Sequence, residues 1–352
     1  MAKYKQISEL LEKRISHGDY YNKELPTENR VATEIGVSRM TARKAIMHLI
    51  ERGILKRKEN GRIVVCDKLK SAETKIAFLA PSWPSSELQI WRNSLEREVA
   101  RHGVSLRPID YVHDDDPAII DAIENFDGIF MLPGAQTFAG KLVERMSNCP
   151  KIVILGHDYS WAGIVSINPF PASHIRRLLD VYKTKGVKRV ECVCGQPINS
   201  STELRIREWN LWRKLNRMEG DLITTDLKPS TYAVHNSYKL TADYLKRSKR
   251  KPEALFCCSI TGSIGTSRAC KDAGLEVGKD VLITAVNGEE MNRLLQPSIT
   301  CLEGKDVRDY ISLAVEWMKQ DDVEWDGSIL LEPDSPQLFL GESTGDKGIV
   351  VS

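Results

Sequence analysis

The sequence predicts an α/β chain with two parts. A small winged helix-turn-helix domain stands at the N-terminus, followed by a two-lobed body of parallel sheets flanked by helices. Three observations carry that expectation. From residue 75 to residue 286, short apolar runs alternate with amphipathic helical stretches, which is how parallel strands with crossover helices read. Before residue 67 the pattern is instead three helical stretches and one hairpin. Charge divides at the same place. Residues 1–66 carry 14 Lys and Arg against 8 Asp and Glu, and the rest carries 36 against 40, so a net charge of +2 hides a basic head on a slightly acidic body. A basic segment on a separate domain points to nucleic acid.

The head is read first. Tyr4 to Ser16 places Ile7, Leu10, Leu11 and Ile15 on one helical face. After a loop-like stretch holding Gly18, Asn22 and Pro26, a second helix opens with Thr27 as N-cap and runs through Ile35, with Gly36 just past its end. Ser38 caps a third helix, whose buried stripe is Ala42, Ala45, Ile46, Leu49 and Ile50. Arg39, Arg43 and Lys44 fall off that stripe, at the end where the helix dipole disfavours cations. Anions from a partner would remove that conflict, as phosphates and guanine edges do at a helix lying in a major groove. Gly53 ends the helix. Ile54–Lys58 and Arg62–Cys66 then read as a hairpin turning at Glu59-Asn60-Gly61.

These residues resemble a known family. YKQISELLEKRI…LPTENRVATEIGVSRMTARKAIMHLIERGILKRKENGRIVV is similar to the winged-helix domain of GntR-type transcriptional regulators over residues 3–66, most specifically in LPTEN…A…GVSRMTARKA. The resemblance implies that double-stranded DNA meets Arg30, Ser38, Arg39, Thr41, Arg43 and Lys44, with Gly61 and Arg62 at the wing tip. The family commonly has Gly-x-Gly-Thr in the wing, whereas this chain has Asn60-Gly61-Arg62 with Ile63 at the Thr position.

Residues 67–74 are polar, of mixed charge, and read as a linker. In the body, KIAFLA (75–80), VSLRPIDYV, FDGIFMLP (126–133) and KIVILG (151–156) are the strands of one half. VKRVECVCG (187–195), ALFCCS (254–259) and VLITAV (281–286) are those of the other. Ligands of open α/β sheets sit beyond the carboxyl ends of the strands. The residues found there are rich in hydroxyls and amides, with Trp83, Trp91, Trp161, Phe170 and Trp209 nearby, as suits a neutral polyhydroxylated ligand. Taken singly, Ser85, Ser86, Ser200 and Ser201 read better as helix caps and the aromatics as core.

The order of elements over residues 75–344 resembles the effector domain of LacI/GalR-type repressors, which is periplasmic-binding-protein-like. The anchors are FDGIFMLP, GVKRVECVCG, the run ALFCCSITGSIGTSRACKDAGLEVGKDVLITAVN and the closing Gly-Glu-Ser-Thr (341–344), which the family places on its last strand. The resemblance implies an effector-binding and dimerisation domain over 75–352, with lobe crossings near 160–168, 296–300 and 325–330. The implied ligand residues are Ser82, Trp83, Ser85, His157, Asn168, Arg205, Trp209, Ser259 and Asn287. The family often has Asp at Ser82, Ile260 and Asn287 and Arg near His157, so loss of those charges changes the sugar specificity implied. The fusion resembles arabinose-responsive repressors of this architecture, arabinose being one candidate among pentoses, hexoses and their glycosides.

The expected function is a transcriptional regulator, a repressor, working as a homodimer on a pseudo-palindromic operator and controlled by a mono- or oligosaccharide. The alternatives are an activator or corepressed regulator with a non-sugar ligand and, more remotely, an enzyme. The nearest enzymatic signal, Thr261-Gly262-Ser263-Ile264-Gly265 after an apolar strand, could seat a phosphate but lacks the full Gly-rich patterns. Among the eight cysteines, neither Cys192-x-Cys194 nor Cys257-Cys258 has a zinc-site partner. Buried thiols are expected, with neither metal nor cofactor. No apolar run reaches membrane-spanning length and MAKYKQISELLEKRI has no apolar signal core, so a cytoplasmic location is expected.

Overall fold

The structure, a computed structural model, describes residues 3–16, 25, 27–58, 61–65, 74–82, 86–134, 138–149, 151–227, 231–304, 306–320 and 328–351. The wing-turn residues Glu59 and Asn60, the linker residues 67–73 and the candidate ligand residues Trp83 and Ser85 lie outside them. The chain divides into two compact units. One comprises Met1–Leu132, Gly140–Val153 and Arg308–Gly327; the other comprises Pro133–Ala139, Ile154–Val307 and Ser328–Ser352.

The first unit opens with helices α1 (Lys3–Ser16), α2 (Glu28–Ile35) and α3 (Arg39–Glu51) and strands β1 (Leu55–Arg57) and β2 (Ile63–Val65). The caps explain the breaks. Thr27 accepts from the Arg30 N–H at the start of α2, and Gly36 ends it in the left-handed conformation, φ 70°. Ser38 then caps α3 by accepting from the Thr41 N–H. Leu11, Val31, Ala42, Ala45, Ile46, Leu49 and Leu55 close one apolar cluster beneath these helices. The Ser8 hydroxyl contacts the Ala45 carbonyl at 3.2 Å, and Arg52 forks onto Glu12 at 2.7 and 2.9 Å, so α3 is fixed to α1 at both depths. The hairpin strands are shorter than expected, with the antiparallel register Leu55↔Val65 and Arg57↔Ile63. Among the described residues the pairing continues through the Lys58 N–H to the Arg62 carbonyl, 2.8 Å.

The same unit continues through β3 (Lys75–Pro81), α4 (Ser86–Arg101), β4 (Ser105–Tyr111), α5 (Pro117–Asn125), β5 (Gly128–Met131) and α6 (Gly140–Ser147). β3 lies between β4 and β5, parallel to both. Its run from Ile76 to Pro81 is buried throughout, as a strand covered on both faces must be. β6 (Ile152–Leu155) carries the chain from the first unit into the second.

In the second unit follow β7 (Val165–Ile167), α7 (Ile175–Thr184), β8 (Val190–Val193), α8 (Ser200–Leu215), β9 (Leu222–Ile223), α9 (Ala233–Arg247), β10 (Ala254–Cys257), α10 (Ile260–Asp272), β11 (Leu282–Gly288) and β12 (Thr300–Glu303). Helix α11 (Arg308–Lys319) returns to the first unit, where a Cβ at Gly128 would overlap its Met318 side chain. β13 (Leu330–Leu331), β14 (Gln337–Leu340) and β15 (Ile349–Val351) finish the second unit. Its main sheet runs β15-β14-β12-β11-β10-β8-β9. Strands β9, β8, β10, β11 and β12 are parallel, while β14 and β15 add antiparallel.

Two expectations change here. Gly-Glu-Ser-Thr does not lie on a last strand: Glu342–Thr344 is a 3-10 turn between β14 and β15. Its buried hydroxyls cross-link the sheet. Ser343 donates to the Ile283 carbonyl at 2.6 Å, and the Thr344 and Thr300 hydroxyls meet at 2.6 Å. The glycines of Thr261-Gly262-Ser263-Ile264-Gly265 serve packing. A Cβ at Gly265 would overlap the Val234 carbonyl on α9, and one at Gly262 would press on the Ser237 hydroxyl at 3.0 Å. These glycines bring α10 against α9, so their backbone is not open to a phosphate.

Candidate nucleic-acid face and ligand cavity

Helix α3 presents its cations on the face that the core leaves free. Ala42, Ala45, Ile46 and Leu49 are fully buried, while Arg39, Arg43 and Lys44 are exposed. Ile50, expected in the buried stripe, is only half-buried. Arg43 and Lys44 make no ion pair among the described residues, whereas Arg39 reaches Glu28 at 3.7 Å and Arg30 pairs with Glu34 at 3.0 Å. Ser38 and Thr41 hold each other at 2.8 Å, hydroxyl to hydroxyl, at the first turn. Gly61 and Arg62 are exposed at the wing, Gly61 with φ 79°.

The second unit holds a cavity of about 820 Å³ between the segment after β6, the turn after β7, α8 and the start of β9. His157, Asn168, Arg205 and Trp209, four of the expected ligand residues, line it. α8 starts with a capping box, in which Asn199 and Thr202 satisfy each other's backbone N–H. Asn199 therefore does the capping that Ser200 and Ser201 were expected to do, and both serines face the cavity.

Arg205 is buried one turn on. Its guanidinium donates to the Cys258 carbonyl and to Asn287 Oδ1, both at 2.8 Å. This ties Asn287 to the cavity wall. Asn287 takes a left-handed backbone, φ 59°, which asparagine tolerates better than most residues. Arg207, two residues on in the same helix, also lines the cavity but is exposed.

His157 is 9% exposed, and its Nδ1 lies 3.4 Å from the Leu155 carbonyl. A carbonyl only accepts, so Nδ1 carries the proton and Nε2 is an acceptor. That Nε2 is buried and has no partner. Burial pushes the imidazole down to about 4, with Arg205 adding in the same direction and the Leu155 carbonyl opposing. The folded value thus lies below the ordinary 6.5, so the unfolded chain binds the proton first as pH falls. Stability is complete above about pH 6.5 and is lost through the window down to about 4, by on the order of 3 kcal/mol. Urea unfolding at about pH 7 and about pH 4.5 measures this, and His157→Gln is expected to show the smaller loss. An equal loss in the variant would assign the acid sensitivity elsewhere.

The remaining expected residues divide. Asn168 donates to Glu332 at 2.7 Å and accepts from the Phe170 N–H at 3.2 Å; burial pushes the Glu332 carboxyl up. Trp209 is 2% exposed, its indole N–H bonded to the Val190 carbonyl and its ring part of the apolar core. It is wall rather than stacking platform. The aromatic surface accessible in the cavity comes from Trp161 and Phe170. Ser259 is the N-cap of α10, accepting from the Gly262 N–H. Ser82 is exposed at the end of β3 in the first unit. Arg213, which sequence reasoning passed over, also lines the cavity, 5.0 Å from the Trp209 ring centre.

Among the described cysteines, all but the half-buried Cys149 are buried: Cys192 and Cys258 meet at 3.6 Å, and burial pushes Cys257 and Cys270 up to about 12. No group of His, Cys, Asp or Glu is placed to hold a metal ion among the described residues. No helix there is long and apolar enough to cross a membrane.

Comparison with known proteins decides the architecture. Residues 3–65 match the family model of bacterial regulatory proteins, gntR family, and residues 179–320 match a periplasmic binding protein-like domain. The chain is a gntR-family segment fused to a periplasmic-binding-protein-like domain. The gntR-family segment is 42% identical over 69 residues to the HTH-type transcriptional regulator YurK of Bacillus subtilis (strain 168). That match spans 19% of this chain and 28% of YurK.

Solved structures of LacI-family regulators share the fold. One from Arthrobacter sp. FB24, in complex with lactose, is 16% identical at a TM-score of 0.64, covering 77% of this chain and 99% of that one. The lac repressor dimer bound to operator and the anti-inducer ONPF is 17% identical at 0.65, covering 78% and 95%. The lac repressor bound to ONPG is 16% identical at 0.67, covering 88% and 92%.

Proposed function

We propose that the chain is a DNA-binding transcriptional regulator, a repressor, whose affinity for a pseudo-palindromic operator is set by a mono- or oligosaccharide bound in the second unit. Residues 1–66 serve DNA, residues 67–74 link, and residues 75–352 bind the effector and form the homodimer. The exposed cations of α3 support the DNA reading, since the two that lack an ion pair among the described residues, Arg43 and Lys44, stand where a recognition helix meets bases and phosphates.

The observation that carries the ligand reading is the buried, unpartnered Nε2 of His157 in the cavity wall. An acceptor left there costs about 1–3 kcal/mol until a donor arrives. A hydroxyl supplies that donor, the Arg205–Asn287 pair offers both donor and acceptor capacity, and Trp161 and Phe170 offer apolar faces for a sugar ring. The lactose-bound and operator-bound relatives in fold belong to this functional class.

A thermal-shift screen of the full chain against mono- and disaccharides tests the reading. One of them is expected to raise the midpoint, with duplex affinity changing at the same concentration. His157→Phe fills the site without a polar atom and is expected to abolish that response while leaving duplex affinity without ligand in place. A response retained in His157→Phe would mean that the ligand sits elsewhere.

A further inference from the structure

We infer that Met40 reads the 5-methyl group of a thymine on the floor of the major groove; this rests on the reading of α3 as the DNA-binding helix. Successive residues of a helix are about 100° apart around its axis. Ala42, Ala45, Ile46 and Leu49 fill one arc of α3, all fully buried. The direction opposite the centre of that arc falls within about 10° of Met40. Arg43 lies about 70° from that direction on one side and Lys44 about 30° from it on the other, while Arg39 lies about 110° away, beside the buried arc.

The apex of the helix therefore holds Met40, with Met47 and Lys44 each about 30° to either side of it and Arg43 farther round. Met40 is 61% exposed and stands outside the apolar cluster that holds the domain together. The fold gives no reason for a methionine there. A helix laid in a major groove turns its shoulders to the phosphates at the groove edges and its apex to the base edges. On that floor the thymine methyl is the one apolar group that a base pair presents.

A thioether side chain has no donor and is a weak acceptor, so it cannot read guanine or adenine by paired hydrogen bonds. It can enclose a methyl group, and its unbranched chain adapts to the position of that methyl. Met40 also lies in the first turn of α3, the part of a recognition helix that reaches base edges. Met47 shares its line and is 40% exposed, but lies about 10 Å farther along the axis.

The test begins with the full-length chain selecting a duplex from a randomised pool. The enriched duplex is remade with deoxyuridine replacing one thymine at a time, which removes only the methyl group. At one thymine in each half-site, wild type is expected to bind the deoxyuridine duplex about fourfold more weakly, the worth of one buried methyl group. Met40→Gln is expected to bind both duplexes alike, and Met40→Leu to keep the wild-type preference, all with unchanged thermal midpoints. Met40 is overturned as the reader if wild type tolerates deoxyuridine at every position, or if Met40→Gln retains the preference. Failure to enrich any duplex would instead remove the DNA reading of α3, and this inference with it.

Discussion

Arg43→Ala is expected to weaken duplex binding by roughly 5- to 150-fold, the equivalent of about 1–3 kcal/mol for one base or phosphate contact. The side chain is exposed on α3, has no ion pair among the described residues and lies off the buried stripe. Its removal leaves no buried group unsatisfied, so the thermal midpoint of the free protein should not move. Any sugar-induced stabilisation should persist as well. Arg39→Ala is expected to cost less, because Arg39 must first leave Glu28 and part of its contact is returned when that pair breaks. Fluorescence anisotropy with the selected duplex, repeated across salt concentrations, separates the two possible roles. A phosphate contact lowers the salt slope by about one, and a base contact leaves it in place. Equal loss of DNA binding and sugar response in either variant would contradict the division of labour between the basic head and the body.

Arg205→Met is expected to destabilise the second unit by about 2–5 kcal/mol and to eliminate the ligand response. Methionine fills much of the same volume but leaves the Cys258 carbonyl and the Asn287 side chain without their charged donor. Each orphaned buried acceptor costs about 1–3 kcal/mol. Arg205→Lys should rescue little, because an ammonium group is a point donor and cannot reproduce the fork that reaches both acceptors. Urea unfolding monitored by tryptophan fluorescence reads the stability, and the sugar thermal shift reads the response. A variant as stable as wild type would show that the Arg205–Asn287 link does not organise the cavity wall.

The parts most legible in the sequence were those governed by local rules. Thr27, Gly36 and Ser38 mark helix boundaries by capping chemistry that needs no tertiary partner, and the structure has them in those roles. The same local chemistry fixes α5, which Asp116 caps and Pro117 starts. The strands that went unread are short. β9 has two residues, β12 pairs β11 and, more than 30 residues on, β14, and β15 joins β14 in a late hairpin.

The cavity was legible in part. His157 follows from its position after a strand and Arg205 from the family resemblance, and the structure puts both in one wall. The burial of Trp209 matches the core reading of the aromatics taken singly, and Ser259 has the capping role that a hydroxyl after a strand takes by local chemistry. The orphaned Nε2 of His157 has no sequence signal, since a lack of partners is a property of the assembled wall.

Glu28 has a consequence of a different kind. It is buried to all but 16%, and it holds both Arg39 on α3, at 3.7 Å, and Arg57 on the first wing strand, at 3.4 Å. The helix and the wing thus share one internal counterion. Before any polyanion arrives, two exposed cations near the expected contact surface already share one carboxylate. Engagement of a duplex then becomes an exchange, in which phosphate oxygens displace a carboxylate, rather than a simple addition of charge to charge. An exchange of this sort discriminates by geometry: a loosely placed polyanion gains little over the carboxylate, while one that fits both cations at once can displace it.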